Sequence, residues 1–182
     1  MTWKEERLSW DEKNMLAAIT IASRSSCRIL HTGAVVVKNK RIIAEGYNGA
    51  PEGIENCLEA GCRKQKYGVN FETKGSGQCV ALHAEVNALS EVSKEKAHGS
   101  ILYTVYYPCA DCAKEIVNSG IEEIVYLKEY KEPSELAKEL FDTRKIKVRR
   151  LEFDLQRCFN TLNQTANAEI YNTLQKELVL DK

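Results

Sequence analysis

His83-Ala84-Glu85 and, further along, Pro108-Cys109-Ala110-Asp111-Cys112 are the stretches around which the chain reads. Three of these side chains are zinc ligands by type: His83, Cys109 and Cys112. The apolar spacing of Leu82, Val86, Leu89 and Val92 predicts a helix over Ala81–Val92, with His83 and Glu85 in or near its first turn. Pro108 suits a helix start, and Cys109 and Cys112 are three residues apart, so their sulfurs point the same way. A helix N-terminus favours negative charge, which helps keep both cysteines as thiolates. One imidazole and two thiolates leave a tetrahedral metal one position for water, the layout of a catalytic rather than a structural site. Glu85 is then the functional group beside the metal and not on it.

Taken singly, each residue has a plainer reading. A C-x-x-C pair serves redox chemistry or half of a structural zinc site. A helical histidine usually packs, and a glutamate two residues after it is usually solvated. In this order, with Pro108 before the cysteines, the set reads as a catalytic zinc site.

At 182 residues the chain is expected to form one domain. That length removes roughly 70% of the unfolded surface from water. The apolar share of 43% and charged share of 29% are ordinary for a globular protein in water. Lys plus Arg equal Asp plus Glu at 26 each, so no global basic field exists to hold a long nucleic acid. No apolar run is long enough for a membrane span, and the charged N-terminus does not read as a signal peptide. Seven cysteines without such a leader point to a reducing compartment, the cytoplasm, and to metal binding rather than disulfides.

Ser9-Trp10-Asp11-Glu12 reads as a capping box opening a helix through about Ser23, with Met15, Ile19 and Ala22 facing a core. Thr32–Lys38 and Arg41–Tyr47 are β-rich runs joined closely enough to be a hairpin. Ile54–Val80 shows no sustained period and carries three cysteines; it reads as an insertion in the domain. Strands follow at Ile101–Tyr106, Ile121–Leu127 and Ile146–Leu151. Helices lie between them, one closed by Gly120 and one spanning Pro133–Phe141. The later strands alternate with helices and should pair in parallel, so the sheet should be mixed. Leu155, Phe159, Leu162, Ala166, Ile170, Leu174 and Leu178 space a C-terminal amphipathic helix. The zinc domain is thus read over residues 1–151, including the insertion 54–80, and the helical extension over 152–182.

Over Met15 to Leu151 the sequence resembles the deoxycytidylate (dCMP) deaminase family. The resemblance rests on Arg24-Ser25-Ser26-Cys27, Thr32-Gly33-Ala34-Val35-Val36-Val37 and Gly46-Tyr47-Asn48-Gly49 with Pro51 and Gly53. It continues through His83-Ala84-Glu85-Val86-Asn87-Ala88 and Pro108-Cys109-Ala110-Asp111-Cys112-Ala113-Lys114 with Gly120-Ile121. The Gly46–Gly53 loop sets it apart from tRNA adenosine deaminases, which share the zinc motif. The implied fold is α/β: a cytidine-deaminase-like three-layer α/β/α sandwich around a mixed, about five-stranded sheet. The implied reaction is zinc-dependent hydrolytic deamination of dCMP, with Glu85 as the proton carrier.

The resemblance implies further roles. Asn48 matches a sugar contact, although Asn-Gly is also a common turn. The Ala84 N–H would face the pyrimidine carbonyl. Arg24, Tyr130 and Lys131 match phosphate contacts; Lys131 departs from the family arginine and offers a point charge instead of a bidentate fork. Some relatives hold a second, structural zinc near the positions of Cys27 and Cys57, and four thiolates from Cys27, Cys57, Cys62 and Cys79 would close such a site. Ordinary buried or free cysteines are the other reading. Many relatives are hexamers regulated by dCTP and dTTP, which implies a homo-oligomer and Mg2+ accompanying a triphosphate effector. Two other functions fit the motif: deamination of another cytosine nucleotide or nucleoside, and a catalytically silent zinc module. Glu85 argues against the second, because a structural zinc has no use for it.

Overall fold

Runs of β-branched residues set the strands, and the turn chemistry between them sets their directions. The computed structural model describes residues 7–71, 73, 77–130 and 134–165. Asn39 and Lys40 both take positive φ, 50° and 65°, the type I′ geometry of a two-residue hairpin. The turn joins β1 (Gly33–Lys38) to β2 (Arg41–Tyr47) in antiparallel register, with a shift between Val36 and Val37. β3 (Ile101–Tyr106) pairs antiparallel with β1, and β4 (Glu123–Lys128) and β5 (Lys147–Arg150) continue in parallel. The result is one mixed five-stranded sheet in the order β2-β1-β3-β4-β5, the expected α/β architecture.

The helices in chain order are α1 (Trp10–Ala22), α2 (Cys57–Ala60), α3 (Arg63–Lys66), α4 (Ala84–Ser90), α5 (Lys94–Ala97), α6 (Ala110–Ser119) and α7 (Glu135–Thr143). Strand register puts Ala34, Thr104 and Tyr126 abreast, with Leu102 and Ile124 on the same face. That face packs Ala34, Val36, Leu102 and Ile124 against Ala84 and Ala88 of α4, Ala113 and Ile116 of α6, and Ala137 and Phe141 of α7. Phe141 is 1% exposed, and truncating it to alanine is expected to destabilise the fold by about 3–5 kcal/mol. The opposite face carries α1. There a Cβ on Gly33 would meet the Ala18 carbonyl oxygen at 2.2 Å, so only glycine lets β1 lie against that helix. Gly46 does the same for β2 on α4: a Cβ would sit 2.3 Å from the Ala88 nitrogen and 2.6 Å from the Ala84 oxygen.

Several boundaries differ from the sequence reading, for identifiable reasons. α4 starts at Ala84, not Ala81, because Leu82 is paired with Gly49: Leu82 N–H donates to the Gly49 carbonyl at 2.8 Å and Gly49 N–H to the Leu82 carbonyl at 3.2 Å. Val86, Leu89 and Val92 still pack on the core, whereas Leu82 does not. On α1, Asn14 and Ala18 take buried places and Ile19 stays half-exposed. The insertion 54–80 is not featureless, since α2 and α3 lie in it. Asn56 caps α2 by accepting from Leu58 and Glu59 N–H, and the Glu59 carboxylate accepts from Asn56 N–H in return.

Residues 14–151 form one compact unit, and the described residues 7–13 and 152–165 form another. In the latter, Ser9 and Glu12 make the expected capping box, with bonds of 2.7 and 3.1 Å. Arg157 Nη1 donates to Glu12 Oε1 at 2.7 Å. Residues 155–165 are helical, and their Leu155, Phe159 and Leu162 are exposed. The rest of the expected stripe, Ala166, Ile170, Leu174 and Leu178, lies outside the described residues, as do Lys131 and Pro133. No described helix is long and apolar enough to cross a membrane.

Candidate active site and metal centre

Two helix starts on the same face of the sheet supply the metal-binding groups. His83 is the N-cap of α4 and Cys109 the N-cap of α6, both in extended backbone, so each side chain projects from the end of its helix. Cys112 lies in the first turn of α6 and is 1% exposed. His83 Nδ1 is 3.2 Å from Cys112 Sγ and 3.4 Å from Cys109 Sγ. The ligand atoms of the three residues all lie within 4.8 Å of one another, and no other described cluster of His, Cys, Asp or Glu converges so closely.

The electrostatics of the three suit a cation. A hydrogen bond from Cys112 holds the Cys109 thiol down to about 4, with burial opposing and His83 helping. The same hydrogen bond, then burial and the Glu85 charge, push Cys112 up. The donor set and its spacing fit zinc with one position left for water.

Glu85 occupies the first turn of α4, beside the triad, and is 5% exposed. Burial raises its pKa, and the nearby His83 charge opposes the rise. Its Oε1 accepts from the Thr104 hydroxyl at 3.2 Å, and its Oε2 lies 3.6 Å from Cys112 Sγ. Thr104 was not singled out from sequence. Its only signal there is a small aliphatic hydroxyl in a strand otherwise made of large aliphatic and aromatic residues, Ile101–Tyr106.

Asn48 reaches the same region through the Gly49–Leu82 bridge next to His83. It is buried, and its side chain ties the 25–32 loop to the end of β2. Oδ1 accepts from Thr32 N–H at 2.9 Å, and Nδ2 donates to the Leu30 carbonyl at 2.7 Å. Ser25 Oγ donates to the Asn48 carbonyl at 2.9 Å, which brings the 24–25 segment alongside. Arg24 itself is exposed just past the end of α1. Ala84, the first residue of α4, is fully buried. Tyr130 stacks on Tyr106 with ring centroids 5.0 Å apart. Burial pushes its hydroxyl up, as do the charges of Glu85, Cys109 and Cys112, so Tyr130 sits within electrostatic reach of the centre.

Cys27, Cys57, Cys62 and Cys79 do not close to the spacing of the first triad, but they lie near one another. Burial raises the Cys57 thiol first, followed by the charges of Cys62, Cys27 and Cys79. Cys27 Sγ accepts from the N–H groups of Ile29 and Leu30, each at 3.5 Å. Arg28 bonds the Cys57 and Leu58 carbonyls at 3.0 and 3.3 Å, joining α2 to the 27–30 loop.

Residues 8–128 match the family described as "Cytidine and deoxycytidylate deaminase zinc-binding region". The deoxycytidylate deaminase of Mycobacterium phage D29 is 42% identical over 125 residues, covering 68% of this chain and 98% of the phage protein. The Saccharomyces cerevisiae deoxycytidylate deaminase is 38% identical over 81% of this chain, but the match spans only 46% of the yeast protein. In three dimensions the dCMP deaminase of cyanophage S-TIM5, solved in complex with dCMP and dUMP, has a TM-score of 0.61 at 28% identity, covering 83% of this chain and 99% of that one. With His83, Cys109 and Cys112 gathered at two helix starts and Glu85 buried beside them, the chain belongs to the cytidine and deoxycytidylate deaminase family of zinc-binding enzymes.

Proposed function

We propose that the chain hydrolyses dCMP to dUMP and ammonia, a step that supplies the uracil deoxynucleotide used in thymidylate synthesis. The observation that carries this reading is a buried carboxylate, Glu85, beside a three-ligand metal site in a chain similar to phage enzymes that act on dCMP. His83, Cys109 and Cys112 would hold the zinc, which would supply the Lewis acidity that readies a water for attack at C4 of the base. Glu85 takes a proton from that water, delivers it to ring N3 and then helps protonate the departing amine. The Ala84 N–H, at the start of α4, donates to the pyrimidine carbonyl. Asn48 Nδ2 has a second hydrogen beyond the one given to Leu30, and this serves the sugar. Arg24, Tyr130 and Lys131 hold the phosphate.

The second metal belongs to the same reading. Cys27, Cys57, Cys62 and Cys79 bind a structural zinc that orders the insertion. The combined effect of the other three on Cys57 supports this, as do the two N–H bonds that fix the position of Cys27 Sγ. A homo-oligomer, hexameric as in relatives, with dCTP–Mg2+ as activator and dTTP as inhibitor, completes the proposal.

Ammonia release from dCMP, deoxycytidine and dCTP, measured with and without dCTP–Mg2+ and dTTP, tests it. dCMP is expected to have the highest kcat/KM. Equal processing of deoxycytidine removes the phosphate pocket, and preference for dCTP requires a larger one. Kinetics indifferent to both triphosphates remove the regulation.

A further inference from the structure

Thr104 is 0% exposed and sits in the middle of the sheet, abreast of Ala34 and Tyr126 on the face that packs α4 and α6. A hydroxyl there is out of place unless it is bonded, because burying an unpaired hydroxyl costs about 1–3 kcal/mol. Valine would fill nearly the same volume without that requirement. The hydroxyl does have a partner: it donates to Glu85 Oε1 at 3.2 Å. Thr32 Oγ1, by contrast, is the buried side-chain oxygen left without a partner among the described residues.

The two oxygens of Glu85 therefore differ. Oε1 is anchored by Thr104. Oε2 lies 3.6 Å from Cys112 Sγ, on the metal side. Among the described hydrogen bonds, Thr104 is the hydroxyl that donates to the carboxylate. A β-branched residue on a central strand is stiff at χ1, so this anchor is rigid.

We propose that Thr104 is a positioning residue for Glu85: it fixes Oε1 so that Oε2 is the oxygen that carries the proton between water, ring and leaving amine. The proposal rests on the deaminase reading of Glu85 but not on which cytosine nucleotide is the substrate. Thr104 touches neither sugar nor phosphate in that reading. Its loss should lower kcat on every substrate by a similar factor and leave KM unchanged. Small misplacements of a catalytic group cost up to about a hundredfold, and removing one of its anchors is expected to cost about tenfold.

The test is Thr104→Val, Thr104→Ser and Thr104→Ala, each assayed for zinc content, kcat and KM on whichever cytosine substrates the wild type turns over. Wild-type turnover of deoxycytidine or dCTP in place of dCMP would sink the dCMP reading and leave this test intact. Thr104→Val is expected to keep the zinc of the catalytic centre and the wild-type KM while kcat falls about tenfold. Thr104→Ser should restore the rate. An unchanged kcat in Thr104→Val overturns the proposal, and so does an equal fall in Thr104→Ser. If Thr104→Val gives no folded enzyme, the Ser and Ala variants decide, because both lack the methyl group and differ in the hydroxyl. Equal kcat values for those two also overturn it.

Discussion

The chain gathers cysteines in two places, and the two are built differently. At the catalytic centre the ligands hang from helix starts backed by a five-stranded sheet, and three ligand atoms come within 4.8 Å. In the 27–79 region the cysteines ride on short helices and loops, and among the four only Cys57 is buried. The first site is preorganised by the fold. Geometry there is fixed by helices that would pack on Ala34, Leu102 and Ile124 whether or not a metal were bound. The second is held by a capping box, an arginine reaching two carbonyls and neighbouring thiols. If it binds zinc, the metal contributes much of the order there, as in small zinc-dependent folds.

The largest effect expected is on chemistry at the first site. Glu85→Gln should retain zinc and fold while turnover falls by about 10²–10⁴-fold, because ligation needs no proton carrier and the reaction does. Metal analysis alongside ammonia release checks it, and near-wild-type deamination would break the mechanism. The next effect separates the two regions. Fully loaded protein should contain two zincs, and Cys57→Ala should contain one, with stability lowered by several kcal/mol. After chelation, trypsin should cut first at Arg63, Lys64 or Lys66 while the sheet survives. A single zinc in the wild type would reduce the second region to ordinary thiols. The smallest effect concerns the phosphate. Arg24→Ala or Lys131→Ala should reduce the preference for dCMP over deoxycytidine by about tenfold, the lower end for a charge-assisted hydrogen bond, with zinc content unchanged. An unaltered ratio in both variants would move the phosphate contact elsewhere.

How much of this was legible in the chain depended on whether a signal was local. The triad and Glu85 announce themselves by residue type and spacing, and the strands by β-branched runs such as Val35-Val36-Val37. The true start of α4 was not legible. It is imposed by the pairing of Leu82 with Gly49, a contact between residues far apart in sequence. The insertion hid α2 and α3 because four-residue helices carry too few turns to show a period. Thr104 was missed because threonine is a common strand residue, and only its position opposite Glu85 gives it a role. Asn48 reads from sequence either as a turn or, by resemblance, as a sugar contact; its buried bonds to Thr32 and Leu30 show it bracing the loop beside the site.

With only hydrogen at Gly46, β2 and α4 touch main chain to main chain. Asn48 lies just past the end of the strand, and Glu85 belongs to the helix. The span between them is therefore set by covalent dimensions rather than by interlocking side chains. Position 46 thus works as a fixed caliper, holding the backbone that leads into Asn48 at a set distance from the helix that carries Glu85.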